Sequence, residues 1–124
     1  MKKLYRDRLL RTADILREVP DKHFSMEYWC TCGTKFCAVG WAAQDPLLKA
    51  EGLKLVNMER EFLNRKEKPL SPAYKTFEGW GAVEEFYGLD HDNANYLFNE
   101  EHYPKKVSKE EVIGRIYTFV GENK

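Results

Sequence analysis

Residues 33–44 read GTKFCAVGWAAQ, and this stretch decides the fold. Thr34 is a suitable helix N-cap, and the positions after it predict a helix that ends at Asp45 and Pro46. Gly40 lowers the helix propensity, but the small side chains of this segment let a second backbone approach closely. We therefore expect this helix at the centre of the core, with its small positions at Cys37, Ala38, Gly40, Ala42 and Ala43.

Amphipathic patterns predict the first and last helices of the chain. Residues 2–19 carry apolar side chains at helical spacing with charges between them, and Pro20 ends the pattern. Ser108 and Glu111 have the spacing of a capping box in front of an apolar run. The last helix is therefore expected to bury one face of the segment that contains Val112, Ile113, Ile116, Tyr117, Phe119 and Val120.

Two shorter helices and one hairpin are expected between these ends. Residues 82–87 predict a helix that Gly88 ends in the C′ position, with Leu89 as its hydrophobic contact, and Asp90 is an N-cap for a helix over residues 91–99. Residues 52–56 alternate as a strand does, and residues 73–77 are the expected partner strand. The highly charged residues 57–72 are expected to form a long exposed connection, with a helical turn over residues 59–64.

These elements predict a mostly α (α+β) fold, a compact helical domain with one small antiparallel β-hairpin. The chain has 124 residues and is 43% hydrophobic, which suits a single domain over residues 1–124. Lys plus Arg and Asp plus Glu both number 20, so no overall basic field favours nucleic acid or an anionic membrane. No apolar run is long enough to span a membrane, and residues 1–8 lack a secretory h-region, so we expect a cytoplasmic protein.

Charge is strongly segregated along the chain. Residues 1–19 hold six basic and three acidic side chains, whereas residues 78–101 hold seven acids and no Lys or Arg. The acidic segment is a candidate binding surface for a protein partner with a basic surface. In the alternative interpretation, the two segments are neighbours in space and partly neutralise each other. The candidate partner-binding residues are Glu78, Glu84, Glu85, Asp90 and Asp92.

Three cysteines lie within eight positions, at Cys30, Cys32 and Cys37. A helix N-terminus and the neighbouring Lys35 favour a thiolate, so Cys32 or Cys37 is a candidate catalytic nucleophile. No histidine stands in a local motif that would make it the base for either thiol. In the alternative interpretation, Cys37 is a small buried hydrophobe and Cys32 a turn residue.

A zinc site would use the three cysteines and one histidine. The one-residue gap between Cys30 and Cys32 is tighter than the usual ligand spacing, and a second knuckle pair is missing. We therefore expect no metal and no cofactor. An odd number of closely spaced cysteines also fits a reducing compartment, which disfavours a disulfide between Cys32 and Cys37.

The order and spacing of several motifs resemble a family of small bacterial and phage proteins to which no activity is assigned. The resemblance covers residues 24–104 and implies a shared fold, but no reaction or ligand. Cys30 and residues 57–72 depart from the pattern of the family. The motifs that carry the resemblance are Cys32-Gly33-Thr34, Cys37, Gly40-Trp41-Ala42, Phe24-Ser25-Met26, Trp29, Phe86-Tyr87-Gly88-Leu89 and Leu97-Phe98.

Two hypotheses of function follow. The first is a non-enzymatic interaction protein, in one version derived from a phage and acting on a host macromolecule, that presents the acidic segment or residues 57–72 to its partner. The second is a cysteine-dependent enzyme that uses Cys32 or Cys37 at a helix N-terminus.

Overall fold

The computed structural model describes residues 1–26, 30–31, 35–57, 70–104 and 106–123. Within these residues the α-helices are α1 (Lys3–Glu18), α2 (Ala38–Ala42), α3 (Pro46–Ala50), α4 (Trp80–Tyr87), α5 (His91–Phe98) and α6 (Lys109–Glu122). The strands are β1 (Cys30–Thr31), β2 (Lys35–Phe36), β3 (Lys54–Asn57), β4 (Leu70–Tyr74) and β5 (Phe77–Glu78). Short 3₁₀ turns lie at Asp21–His23 and Glu100–His102. The predicted class, a compact and mostly helical α+β fold, is confirmed.

Helices α1 and α6 pack against each other along one side of the core. The stripe of α1 formed by Leu9, Ala13 and Leu16 has no exposed surface. At the start of α6 the Ser108 hydroxyl accepts from the Glu111 N–H at 3.2 Å, and the Glu111 carboxylate accepts from the Ser108 N–H at 3.4 Å. The predicted capping box is therefore present, and both long helices form where the apolar spacing predicted them.

The central helix is shorter than predicted. Its N-cap is Cys37, not Thr34, because Lys35–Phe36 forms strand β2 and pairs with β1. Backbone groups engaged in this ladder cannot join a helix, so α2 begins only at Ala38. Residues 32–34 lie outside the described residues. The central position is confirmed, since α2 contacts α1 and β4 and its residues Ala38, Val39 and Ala42 are fully buried.

Asp45 separates α2 from α3 and ties α3 to α1. Its carboxylate accepts from the Leu48 N–H at 3.2 Å, which caps α3, and Pro46 occupies the first turn. Arg11 of α1 donates two further bonds to the same carboxylate, at 3.1 and 2.7 Å. The hydrogen bond from Arg11 lowers the pKa of Asp45, although burial of the carboxyl group opposes this shift.

The sheet has three antiparallel strands in the order β3-β4-β5, whereas the sequence predicted a two-stranded hairpin. Strand β4 begins at Leu70, so Pro72 pairs with Leu55 and is buried with Ser71. The prediction that residues 57–72 form an exposed connection is therefore wrong at both ends, where Asn57 and residues 70–72 belong to strands. Residues 58–69 lie outside the described residues. The Pro72 carbonyl accepts from the Gly79 N–H at 2.9 Å, away from β3. In a strand, the N–H and the carbonyl of one residue point to the same side, so the N–H that Pro72 lacks would also have faced away from β3. Its absence therefore removes no hydrogen bond to β3.

A left-handed turn joins α4 to α5, as predicted. Gly88 has φ 62° and ψ 41°, and the Leu89 N–H donates to the Glu84 carbonyl at 2.9 Å. Asp90 then caps α5 by accepting from the Asn93 N–H at 2.8 Å. This tight turn places the C-terminus of α4 next to the N-terminus of α5.

Candidate functional site

Acidic side chains gather where α4 meets α5. Glu84 and Glu85 lie in the last turn of α4, and Asp90 and Asp92 lie at the start of α5. The Glu84 carboxylate is 3.4 Å from Nδ1 of His91, so it reaches the first turn of α5. We name Glu84, Glu85, Asp90 and Asp92 the acidic corner.

The acidic corner carries charge that the described residues do not balance. Glu85 and Asp92 are exposed, and neither carboxylate has an ion-pair partner within the described ranges. Asp90 is exposed too, and its carboxylate engages a backbone N–H rather than a cation. His91 beside Glu84 is charged only when it is protonated. Near neutral pH the described side chains therefore leave the corner with a net negative charge.

Glu78 lies apart from the other predicted partner-binding residues. It is exposed on the edge strand β5, just before α4, whereas the acidic corner lies at the other end of α4. Eight helical residues span about 12 Å. The structure therefore brings together Glu84, Glu85, Asp90 and Asp92, and leaves Glu78 at the far end of the helix.

The basic side chains of α1 are paired with acids outside residues 78–101. Arg8 pairs with Glu51 at 2.9 Å and Arg11 with Asp45 at 2.7 Å. Lys3 and Arg17 pair within α1, with Asp7 and Asp14. Although α1 packs against α4, these described ion pairs do not neutralise the acidic corner as the alternative interpretation proposed.

Arg8 is a buried positioning residue that the sequence analysis missed. It is only 6% exposed, its guanidinium lies 4.1 Å from the Phe86 ring centroid, and it donates to the Phe86 carbonyl at 2.7 Å. The carbonyl belongs to the last turn of α4, so Arg8 holds the helix end that carries the acidic corner. Arg8 precedes Thr12 by four residues and Leu16 by eight, and residues at this spacing lie on the same face of a helix. This spacing indicates that Arg8 shares the buried face of α1.

Besides Arg8, a buried hydrogen bond between Thr12 and Tyr87 holds the end of α4 on α1. The Thr12 hydroxyl donates to the Arg8 carbonyl at 2.9 Å and lies 2.8 Å from the Tyr87 hydroxyl. Because Thr12 has a single hydroxyl proton, Tyr87 is the donor in the second bond. Burial raises the pKa of Tyr87 well above its ordinary value, so the hydroxyl keeps the proton that it donates.

Cys37 occupies a capping position in the core. It is 3% exposed, and its Sγ accepts from the Gly40 N–H at 3.3 Å. The sequence placed Cys37 in the first turn of the helix, whereas the structure places it one residue before α2. This burial agrees with the alternative interpretation, in which Cys37 is a small buried hydrophobe, and a catalytic role of Cys37 stays a prediction. Cys32 lies outside the described residues, so its catalytic role stays a prediction.

An open groove lies between α5 and α6. Its volume is about 460 Å³. No sequence pattern predicts this groove, because its walls come from two helices that are separated in the chain. The groove is lined by Asn93, Tyr96, Thr118, Phe119, Glu122 and Asn123.

Comparison with known proteins gives no family assignment. The chain matches no protein-family model, no curated protein and no solved structure. None of the described helices has the length and apolar character needed to cross a membrane. In the described part of the chain, no three His, Cys, Asp or Glu side chains group as metal ligands would. The fold and site define a small, mainly helical α+β protein with an acidic corner.

Proposed function

We propose that this chain is a non-enzymatic interaction protein whose acidic corner binds a protein partner with a basic surface. The observation that carries the proposal is the exposed pair Glu85 and Asp92, which lacks a cationic partner among the described residues. Neighbouring like charges repel, and a bound cationic surface would relieve that repulsion. The proposal includes a cytoplasmic location, which the closely spaced, odd number of cysteines supports.

The rigidity of the acidic corner supports a binding role. Arg8 and Tyr87 hold the end of α4 on α1, and Gly88 and Asp90 fix the turn into α5. A surface that is ordered before binding loses less conformational entropy when a partner docks. Exposed charges of this kind act mainly by accelerating association and selecting partners, and salt weakens both effects.

The test is the affinity for a fluorescein-labelled peptide of alternating lysine, arginine and glycine residues, measured by fluorescence anisotropy. The corner variant combines Glu85→Lys with Asp92→Lys. Its matched control combines Glu18→Lys with Glu110→Lys, two exposed acids at the end of α1 and the start of α6. Both double variants change the net charge equally, so a difference between them reports where the peptide binds.

We expect the corner variant to weaken binding by about tenfold or more, which corresponds to about 1.4 kcal/mol, and the control to weaken it by about twofold or less. Binding by the unaltered protein should also weaken when NaCl rises from about 50 to about 200 mM. Equal losses in the two variants would show that only the total charge matters. Either that result or a failure of the unaltered protein to bind the peptide would overturn the proposal.

A further inference from the structure

A series of side-chain hydrogen bonds runs along α5, from the acidic corner to the 3₁₀ turn that follows the helix. It begins at the Glu84 carboxylate, which is 3.4 Å from Nδ1 of His91. Nε2 of His91 is 3.1 Å from Nδ2 of Asn95. The Asn99 amide donates to Oδ1 of Asn95 at 2.8 Å, and the Glu101 N–H donates to Oδ1 of Asn99 at 3.0 Å. We name these four bonds the α5 network.

The backbone of α5 determines which nitrogen of His91 carries the proton. Nδ2 of Asn95 also donates to the His91 carbonyl at 2.9 Å, and a carbonyl can only accept. The Asn95 amide therefore cannot turn over, and its second N–H faces Nε2 of His91. An imidazole nitrogen that accepts a hydrogen bond carries no proton, so neutral His91 has its proton on Nδ1, where the Glu84 carboxylate accepts the bond.

Protonated His91 does not fit the α5 network. Its Nε2 would carry a hydrogen that faces the Asn95 N–H, and two donors at 3.1 Å repel each other. Asn95 is 8% exposed, and bonds hold both ends of its amide, whereas 69% of the His91 side chain is exposed. The histidine ring is therefore the group that turns away, and the bond from Asn95 to His91 is lost.

Glu84 is the one charged side chain that is hydrogen-bonded to His91 among the described residues. Helix α6 and the 3₁₀ turn also pack against α5. Helix α6 contributes Arg115, which donates to an α5 carbonyl more than one turn beyond the histidine, and Glu122, which lines the groove between the two helices. The 3₁₀ turn contributes two acids and His102 beyond the far end of α5. The other acids of the acidic corner flank His91 on its own side.

We propose that protonation of His91 weakens the binding of the basic partner to the acidic corner. The inference rests on the proposed function and adds its regulation. The imidazolium places a positive charge beside Glu84, within the surface that attracts cations. Loss of the Asn95 bond removes a contact that orders the first turn of α5, where Asp92 lies. Binding therefore weakens as the pH falls through the range in which histidines take up protons.

The test is the affinity for the peptide of alternating lysine, arginine and glycine residues at about pH 7.5 and about pH 5.5, at constant ionic strength. The peptide carries a rhodamine label whose charge and fluorescence do not change over this range. Lysine, arginine and ordinary carboxyl groups keep their charge there, so histidines are the side chains that titrate. The variant is His91→Gln, and its matched control is His102→Gln, an exposed histidine of the 3₁₀ turn.

We expect the dissociation constant of the unaltered protein to rise about threefold or more at the lower pH, and that of His102→Gln to rise equally. The dissociation constant of His91→Gln should change by less than about 1.5-fold. An equal pH dependence in His91→Gln, or tighter binding by the unaltered protein at the lower pH, would overturn the proposal.

Long-range ¹H–¹⁵N correlation spectra of the protein alone test the α5 network without a peptide. We expect neutral His91 to carry its proton on Nδ1, and the side-chain amide signals of Asn95 to shift as His91 is protonated. Asn95→Ala should remove the preference for Nδ1, whereas Asn93→Ala, the same change on the same helix, should leave it. A neutral His91 with its proton on Nε2 in the unaltered protein would overturn the proposal, whether or not the variants fold.

The outcomes separate this inference from the proposed function. If the peptide binds the acidic corner with the same affinity at both pH values, the proposed function stands and the role of His91 is overturned. If the unaltered protein binds the peptide at neither pH, both proposals fail.

Discussion

Replacing Gly88 with alanine should destabilise the protein by about 3 kcal/mol. Gly88 has φ 62°, and a non-glycine residue in this left-handed region loses about 1 kcal/mol. A Cβ at this position would lie 2.3 Å from Cδ2 and 2.6 Å from Cγ of Tyr5. Because Cγ is at the base of the ring, the whole ring would have to move, and such overpacking costs about 2 kcal/mol.

Equilibrium urea unfolding of four proteins separates the two contributions. They are the unaltered protein, Gly88→Ala, Tyr5→Ala and the double variant, each followed by tryptophan fluorescence and circular dichroism. In the Tyr5→Ala background we expect Gly88→Ala to cost only about 1 kcal/mol, because backbone strain remains and the steric clash is gone. The coupling energy between the two sites should therefore be about 2 kcal/mol.

Gly114 provides the matched control for a glycine-to-alanine change. It lies within α6, and a Cβ there would meet no atom within 4 Å. Gly114→Ala should stabilise the protein by up to about 1 kcal/mol, because alanine has the higher helix propensity. An equal cost of Gly88→Ala with and without Tyr5 would refute the described contact, and no cost in either background would refute the left-handed turn.

Three further predictions concern the buried polar groups. Asp45→Asn should lower stability by about 1 kcal/mol at pH 7, because asparagine can still cap α3 but loses the charge that pairs with the partly exposed Arg11. The pKa of Asp45 is lowered in the folded state, so the ionised carboxylate stabilises the folded protein at pH values above the ordinary aspartate pKa. The stability difference between the two proteins should therefore shrink as the pH falls below about 4, as urea unfolding at pH 7 and pH 3 would show. Tyr87→Phe should cost about 1 kcal/mol in the same assay, because the Thr12 hydroxyl loses its donor. Cys37 should react with iodoacetamide much more slowly in the folded protein than in urea, and a fast reaction in the folded protein, read by mass spectrometry, would contradict its burial.

Local sequence patterns predicted the helix caps and turns that depend on contacts between neighbouring residues. The capping box of Ser108 and Glu111, the left-handed Gly88 and the N-cap Asp90 each depend on a few neighbouring residues. Such contacts form within one or two helical turns, so the sequence contains all the groups that make them. The four acids of the acidic corner were found for the same reason, because they lie close together in the chain.

Tertiary pairing decided the elements that the sequence did not predict. Lys35–Phe36 could extend a helix by local propensity, but its pairing with β1 makes it a strand. The sequence predicted Pro72 to lie in the exposed connection, yet its imide nitrogen is on the side away from β3, where the strand tolerates it. Arg8 is buried because Glu51 and the end of α4 accept its hydrogen bonds, and both partners are far away in the sequence.

The central claim is that the acidic corner is the surface that a basic partner contacts. Amide chemical-shift mapping of the ¹⁵N-labelled protein with the mixed lysine and arginine peptide tests it most directly. We predict that the largest shifts occur at Glu84, Glu85, Asp90 and Asp92, with little change at Glu18 on α1. Shifts of equal size at Glu18, or shifts confined to residues outside the acidic corner, would contradict the claim.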